Sequence, residues 1–216
     1  MRVLEPRVSS LSEIFGGQYV LLLAVRPGDE TRACGGFIAE SCARGRPPFV
    51  CIVTDGSSEA VRPQDNRSPG EIAQDVAQLR ADRTREATAQ LGLPDERLVL
   101  FGLYDGTVPQ AGARFARLVD AVADIARRYD CNTVCAPFRP DAAGDDLAVQ
   151  MLARALAAQA DVRLVWYGAP PNAGAGTVLH LDVSAWTEQK RQAVQIVAWG
   201  PEPAEDVGPF EMFLPE

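Results

Sequence analysis

The chain contains one histidine, His180, and one lysine, Lys190, among 216 residues. A single histidine excludes any metal or catalytic site that needs two imidazoles. The 21 basic residues are outnumbered by 29 acidic ones, which gives a net charge of −8. Because no basic stripe offsets this acidity, we expect neither nucleic acid nor an anionic membrane surface as a main partner.

Long apolar runs are also missing, and we expect no export signal. No apolar run reaches the roughly 20 residues of a membrane helix, and residues 1–18 mix charges without an apolar signal segment. The five cysteines (34, 42, 51, 131 and 135) are an odd number, and the C-x-x-x-C spacing of the last two is not that of a zinc ribbon. We expect free, mostly buried thiols and a cytoplasmic protein.

The apolar runs that are present alternate with amphipathic segments. Strands are predicted at 19–25, 49–54, 98–101, 133–136, 162–167 and 178–183, and helices at 31–44, 71–91, 113–129, after 146 and at 185–198. This alternation predicts an α/β fold with a mostly parallel sheet and helices on both faces. We expect one domain over 1–216, with 1–18 as an N-terminal extension and 199–216 as an acidic, proline-rich tail.

The loops that follow the predicted strands are rich in acidic residues. Right-handed crossovers bring the loops at 26–30, 55–70, 102–109 and 138–146 to one edge of the sheet, where open α/β sheets bind ligands. The acidic side chains expected there are Asp29, Glu30, Asp55, Asp105, Asp141, Asp145 and Asp146. The simplest interpretation of Asp145 and Asp146 is that they cap the helix that follows.

Five motifs lie in these loops and the segments between them. They are R-P-G-D-E at 26–30 followed by G-G at 35–36, T-D-G at 54–56, R-T-R-E at 83–86 followed by L-G at 91–92, L-Y-D-G at 103–106, and P-F-R-P-D-A-A-G-D-D at 137–146. In order and spacing they resemble the motifs of the PIG-L/LmbE-like family of zinc-dependent N-deacetylases. The resemblance implies the LmbE-like fold, which is Rossmann-like.

The chain departs from this family at the positions that carry its chemistry. The resemblance places the family's three zinc ligands at Arg26, Asp29 and Asp146, its general base at Gly28 and its oxyanion-stabilising histidine at Ala143. Arginine has no lone pair for a metal, and glycine cannot accept a proton. We therefore expect no catalytic residues, no metal at the degenerate site and no cofactor.

The substitution at position 26 has two interpretations. The guanidinium could lie between Asp29 and Asp146 and neutralise both carboxylates in place of a metal ion, because its planar fork bonds carboxylates in pairs. Alternatively, Arg26 points to solvent and the site is merely eroded. His180, between two leucines in a predicted strand, is expected to be a partly buried strand residue rather than a catalytic one.

Two classes of function follow, with thiol chemistry through Cys34 or Cys51 as a weaker third. The first is a non-catalytic member that binds a sugar-like or N-acyl ligand or a protein partner. Its cleft would be lined by Arg26, Asp29, Glu30, Arg83, Tyr104, Asp105, Asp141 and Asp146. The alternative is an amide hydrolase that uses Mg²⁺ or Ca²⁺ held by Asp29, Asp141, Asp145 and Asp146. A homo-oligomer is compatible with either.

Overall fold

Eight strands and six helices make up the part of the chain that the computed structural model describes, which is residues 7–16, 19–60, 68–160, 162–168, 177–198 and 207–216. The strands are β1 (Arg7–Val8), β2 (Tyr19–Ala24), β3 (Phe49–Thr54), β4 (Leu98–Leu103), β5 (Cys131–Pro137), β6 (Arg163–Tyr167), β7 (Leu179–Asp182) and β8 (Phe210–Pro215). The helices are α1 (Leu11–Phe15), α2 (Asp29–Ala43), α3 (Pro69–Gln90), α4 (Gly112–Arg128), α5 (Gly144–Ala160) and α6 (Thr187–Val197).

All eight strands form one sheet in the order β1-β7-β8-β6-β5-β2-β3-β4. Every neighbouring pair is parallel except the two pairs made by β8, which runs antiparallel to β6 and to β7. The predicted mostly parallel α/β fold is therefore confirmed.

The helices cover both faces of the sheet and bury a core on each side. Along β2 the side chains alternate, as the pleat requires: Leu21 and Leu23 pack into the core under α4 and α5, whereas Leu22 and Ala24 pack into the core under α2, α3 and α6. A central strand covered on both faces has no polar side, which explains its uninterrupted apolar sequence.

The helix boundaries follow local signals in the sequence. Helix α3 begins two residues before the predicted start, because Ser68 and Glu71 form a reciprocal capping box and Pro69 occupies the first helical position. Helix α2 is kinked at Cys34, whose backbone angles (φ −128°, ψ 17°) are not helical.

The two terminal segments that the sequence sets apart each add a strand to the sheet. The expected N-terminal extension holds α1 and β1, and the expected tail holds β8. Neither strand was predicted. The alternation of apolar and polar residues does not reveal β8, because Glu211 is buried on the same face as Phe213, two positions later.

The cysteines behave as predicted. All five are free thiols, and four of them are buried while Cys42 is partly exposed. Among the residues with described structure, no helix combines the length and apolar character that crossing a membrane requires.

Candidate functional site

Arg26 reaches the edge of the sheet through a tight turn between β2 and α2. Gly28, the residue before α2, has a φ of +97°, and a Cβ there would lie 3.2 Å from Cβ of Val197. Both the left-handed backbone and the close approach favour glycine. The turn places the side chain of Arg26 beside the loop after β4 and the start of α5.

The guanidinium of Arg26 contacts two carboxylates from distant parts of the chain. Its Nε lies 3.2 Å from Oδ1 of Asp105, and its Nη1 donates to Oδ2 of Asp146 at 3.3 Å. Asp29 accepts a hydrogen bond from the main-chain N–H of Arg26 at 3.0 Å. The ion pair with Asp146 agrees with the prediction, and the guanidinium also contacts Asp105, which the sequence did not suggest as a partner.

Asp105 is held in place by the loop that follows β3. Its carboxylate is almost completely buried and accepts hydrogen bonds from Oγ1 of Thr54, at 3.3 Å, and from Oγ of Ser58. Its main-chain N–H donates to Asp55, which also accepts a 2.7 Å bond from Oγ of Ser57. The T-D-G and L-Y-D-G motifs therefore form one hydrogen-bonded unit behind Arg26.

Asp145 has a role that the sequence did not suggest. Its carboxylate, buried at the start of α5, accepts from the main-chain N–H groups of Gly106, at 2.5 Å, and Val108, at 3.0 Å. Asp145 and Asp146 both lie in the first turn of α5, as the sequence suggested, but the two oxygens of Asp145 fix the loop after β4. The spacing of residues within one segment of the sequence does not predict such a long-range contact.

Glu30 lies beneath the turn rather than in an open cleft. It is completely buried, and its carboxylate accepts from the main-chain N–H of Gly28, at 2.9 Å, and from Oγ1 of Thr31, at 2.7 Å. Burial raises the pKa of Glu30 from 4.5 to about 7, since the charged form loses its hydration. The expectation that Glu30 lines the cleft is therefore wrong.

A cleft of about 460 Å³ opens in front of this acidic network. It lies at the carboxyl ends of β2, β5 and β6, where a parallel sheet normally binds its ligand. Its lining consists of Val25, Asp29, Arg32, Ala33, Pro137, Phe138, Arg139, Asp146, Tyr167 and Gly168. Asp29 and Asp146 were predicted to line it, whereas Arg32, Arg139 and Tyr167 were not.

Burial affects two groups beside the cleft. It raises the pKa of Asp29, an effect opposed by the hydrogen bond from the main chain of Arg26 and by the charge of Arg26. Burial also raises the pKa of the phenol of Tyr167, whose hydroxyl donates to the main-chain oxygen of Leu23 at 3.0 Å. Tyr167 is therefore a fixed wall of the cleft and not an acid or base near neutral pH.

Five other predicted residues lie outside the lining of the cleft, among them Arg26 and Asp105 of the network behind it. Arg83 donates to the main-chain oxygen of Ala198 at 2.9 Å, at the end of α6. The side chains of Tyr104 and Asp141 are exposed. Part of the 55–70 loop, residues 61–67, lies outside the described residues.

The residues that the resemblance assigns to the zinc positions do not fit a zinc ion. Arg26 occupies the space between Asp105 and Asp146 with a guanidinium that has no lone pair to donate. Gly28 and Ala143 bring no acid, base or imidazole to the site.

The acidic residues proposed to hold a hard cation do not converge either. Asp145 bonds the main chain of the loop after β4, and Asp141 is exposed. Within residues 7–16, 19–60, 68–160, 162–168, 177–198 and 207–216, no three His, Cys, Asp or Glu side chains form a group that could hold a metal ion.

The remaining candidates for chemistry are unsuited to it. Cys34 and Cys51 are completely buried, which raises the pKa of each thiol and disfavours the nucleophilic thiolate. His180 is a partly exposed residue of β7, as expected, with its ring 6.2 Å from that of Phe210.

Comparison with known proteins shows the family and the fold. The structure is similar to the N,N'-diacetylchitobiose deacetylase of Pyrococcus horikoshii (18% identity, TM-score 0.64, covering 87% of this chain and 73% of the other). It is also similar to the conserved protein TT1542 of Thermus thermophilus (23% identity, TM-score 0.60, covering 83% of this chain and 78% of the other). A third similar structure is the 4-carboxy-2-hydroxymuconate hydratase of Pseudomonas putida KT2440 (16% identity, TM-score 0.66, covering 92% of this chain and 95% of the other).

At these identities the structural likeness shows the fold alone. No curated protein matched the chain closely enough in sequence to count as a relative. Residues 21–157, more than half of the chain, match the family model described as PIG-L, GlcNAc-PI de-N-acetylase. This match includes every loop that surrounds Arg26, and the chain therefore belongs to the PIG-L family.

Proposed function

We propose that this chain is a metal-independent member of the PIG-L family that binds a sugar-like or N-acyl ligand in the cleft and does not hydrolyse it through zinc. The observation that carries the proposal is the position of Arg26, whose guanidinium contacts Asp105 and Asp146. Because arginine stays protonated at any physiological pH, it keeps a permanent positive charge between these two carboxylates. The electrostatic role of a bound dication thus belongs to a side chain.

The residues around Arg26 support loss of hydrolysis. Activation of a water molecule for attack on an amide needs a base within hydrogen-bond reach, and the position that the family resemblance assigns to that base is Gly28. The position assigned to the oxyanion-stabilising histidine is Ala143, which is exposed. The chain's single histidine, His180, lies on β7.

The class of ligand follows from the cleft and from the names of similar structures. At about 460 Å³, the cleft is within the range of roughly 300–1,000 Å³ that small-molecule sites occupy. One similar protein is a deacetylase of N,N'-diacetylchitobiose, and another is a deacetylase in teicoplanin biosynthesis. An N-acetylated sugar is therefore the first ligand to test.

Two measurements on the purified, untagged chain test this function. Elemental mass spectrometry after incubation with Zn²⁺, Mg²⁺ or Ca²⁺ and desalting should find less than about a tenth of an equivalent of each ion, because arginine cannot act as a ligand. Saturation-transfer NMR with N-acetylglucosamine should give the same signal with and without EDTA. Stoichiometric metal, or release of acetate from the sugar, would overturn the proposal.

A further inference from the structure

We propose that the ligand of the cleft carries a carboxylate, recognised by Arg32 and Arg139. This inference rests on the proposed function and specifies its ligand. The two arginines lie in the lining of the cleft together with Asp29 and Asp146. In a chain of net charge −8, the lining of this cleft has as many arginines as aspartates.

The two aspartates of the cleft already have partners within the protein. Asp146 accepts a hydrogen bond from the guanidinium of Arg26 at 3.3 Å, and Asp29 accepts one from the main-chain N–H of Arg26 at 3.0 Å. The acidic groups therefore oppose an incoming anion less than their number suggests.

The guanidinium of Arg139 has N–H groups available to donate to a ligand. Its side chain is 68% exposed, and its contact with Asp146 is a long one, 3.5 Å between Nε and Oδ1. A contact of that length is a weak hydrogen bond at best. Because a guanidinium carries five N–H donors in a planar fork, the two Nη groups of Arg139 can pair with the two oxygens of a carboxylate.

Arg32 lies in the first turns of α2, on another part of the lining. Its Nη2 is 3.4 Å from the main-chain oxygen of Val197. Arg32, Ala33 and Gly168 also line a second cavity of about 230 Å³, so that Arg32 stands where the two cavities meet. In the second cavity the charge of Lys190 is balanced by Glu211, 2.7 Å away. Arg32 thus lines both cavities, and its positive charge also acts to lower the pKa of Asp29.

The apolar part of the lining defines the rest of the ligand. Val25, Phe138 and Tyr167 contribute apolar surface to the same cleft as the two arginines. Such a surface suits the ring face of a sugar or an acyl chain, while the arginines take the charged end. The geometry thus points to a carboxylated N-acyl compound.

A matched pair of probes tests this inference. N-acetylmuramate and N-acetylglucosamine share the N-acetylated sugar, and only the first carries a carboxylate. In NMR titrations we expect N-acetylmuramate to bind at least about tenfold more tightly, because a hydrogen-bonded ion pair separates the two compounds. The difference should shrink in Arg139→Gln and in Arg32→Gln, and Arg139→Lys should restore part of it, since lysine keeps the charge without the fork.

The control is Arg127→Gln, the same change of charge at an exposed arginine in the last turn of α4. It should leave both dissociation constants unchanged. Equal affinity for the two sugars would overturn the carboxylate inference and leave the proposed function standing. Binding of neither sugar would overturn both. A preference for N-acetylmuramate that survives both Arg139→Gln and Arg32→Gln would overturn the roles given to these arginines.

Discussion

Arg26 contacts two carboxylates that lie on different elements of the sheet edge. Asp105 follows β4 and Asp146 lies in the first turn of α5, and the side chain of Asp105 is almost fully buried. Arg26→Ala leaves both carboxylates without this cation, which we expect to lower the free energy of unfolding by about 3 kcal/mol. Urea denaturation followed by circular dichroism measures the change.

The matched control for this substitution is Arg127→Ala. Arg127 pairs with Asp124 on the surface of α4, where both side chains are more than half exposed. Such surface pairs contribute less than about 1 kcal/mol. If Arg26→Ala cost no more than Arg127→Ala, the guanidinium would not be neutralising buried charge.

Glu30 makes stability depend on pH. Its pKa is raised from 4.5 to about 7 in the folded chain, so between these values the folded chain holds a proton that the unfolded chain has released. The free energy of unfolding contributed by Glu30 is therefore highest at low pH. It falls by roughly 3 kcal/mol as the pH rises from the unfolded-state pKa through the folded-state pKa.

Glu30→Gln removes this titration and keeps the size of the side chain. We expect the variant to gain stability relative to the native chain between about pH 5 and pH 8. Urea unfolding of both proteins at pH 5 and at pH 8 measures the difference in their free energies of unfolding. Parallel pH profiles for the two proteins would contradict the raised pKa.

Residue types near the site were visible in the sequence, but their partners were not. The motifs predicted Arg26, Asp29 and Asp146 at one edge of the sheet, where the structure brings them together. They could not show that Asp105 contacts the guanidinium or that Asp145 bonds the loop after β4. Those contacts depend on how loops more than 30 residues apart are oriented, and no local spacing encodes them.

At the scale of elements, helix α2 is built as two segments. The kink at Cys34 frees the main-chain N–H groups of Gly36 and Phe37, which donate to the two oxygens of Glu211 at 2.7 and 2.8 Å. Lys190 of α6 neutralises this carboxylate at 2.7 Å. The charged group therefore joins α2, α6 and β8 inside the core.

The contact of α2 with the segment after β7 predicts the effect of a single methyl group. A Cβ at Gly36 would lie 2.5 Å from Cβ of Val183. We expect Gly36→Ala to lower the free energy of unfolding by about 1–3 kcal/mol, because the helix must move away. Thermal and urea unfolding measure it.

Gly70 in the first turn of α3 provides the matched control. A Cβ there meets nothing within 4 Å, so Gly70→Ala should be neutral or raise stability by up to about 1 kcal/mol through helix propensity. Equal effects at the two glycines would show that the close approach at Gly36 is not the cause.

Apolar patterning was sufficient to predict the central strands β2 and β3, but it failed to predict β8. Strands β2 and β3 lie within one residue of their predicted bounds because both faces are buried and the sequence is apolar throughout. Strand β8 follows a proline-rich acidic stretch and carries a buried glutamate. Glu211 breaks the apolar alternation, and only its distant partners on α2 and α6 make its burial favourable.

At the scale of the whole molecule, one phenylalanine of β8 connects the two terminal segments. Phe213 is completely buried, with its ring centroid 5.1 Å from that of Phe15 in α1 and 6.0 Å from that of Phe37 in α2. Phe213→Ala should lower the free energy of unfolding by about 3–5 kcal/mol. Denaturation followed by both tryptophan fluorescence and circular dichroism measures the loss.

Phe210, on the same strand, is the control for this substitution. Its side chain is 42% exposed, so Phe210→Ala should cost much less than Phe213→Ala. A similar cost at both positions would mean that β8 does not contribute to the core through Phe213.

For the whole molecule, the sequence was sufficient to predict the central sheet and the helices that cover its two faces. Alternating strands and helices predicted the parallel sheet, and the crossover rule placed the loops after the strands at its carboxyl edge. The arginines of the cleft were not predicted, because Arg32 and Arg139 carry no pattern of their own until β2, β5 and β6 lie side by side.

The interior position of β8 sets an order of events during protein synthesis. The five strands from β6 to β4 in the sheet can pair as soon as residue 167 has been made, but β7 and β1 join them only through β8. Until residues 210–215 are available, the outer edge of β6 is unpaired, a surface that invites pairing with other chains. Strand β1 reaches its place in the sheet only after residues 210–215 have been translated.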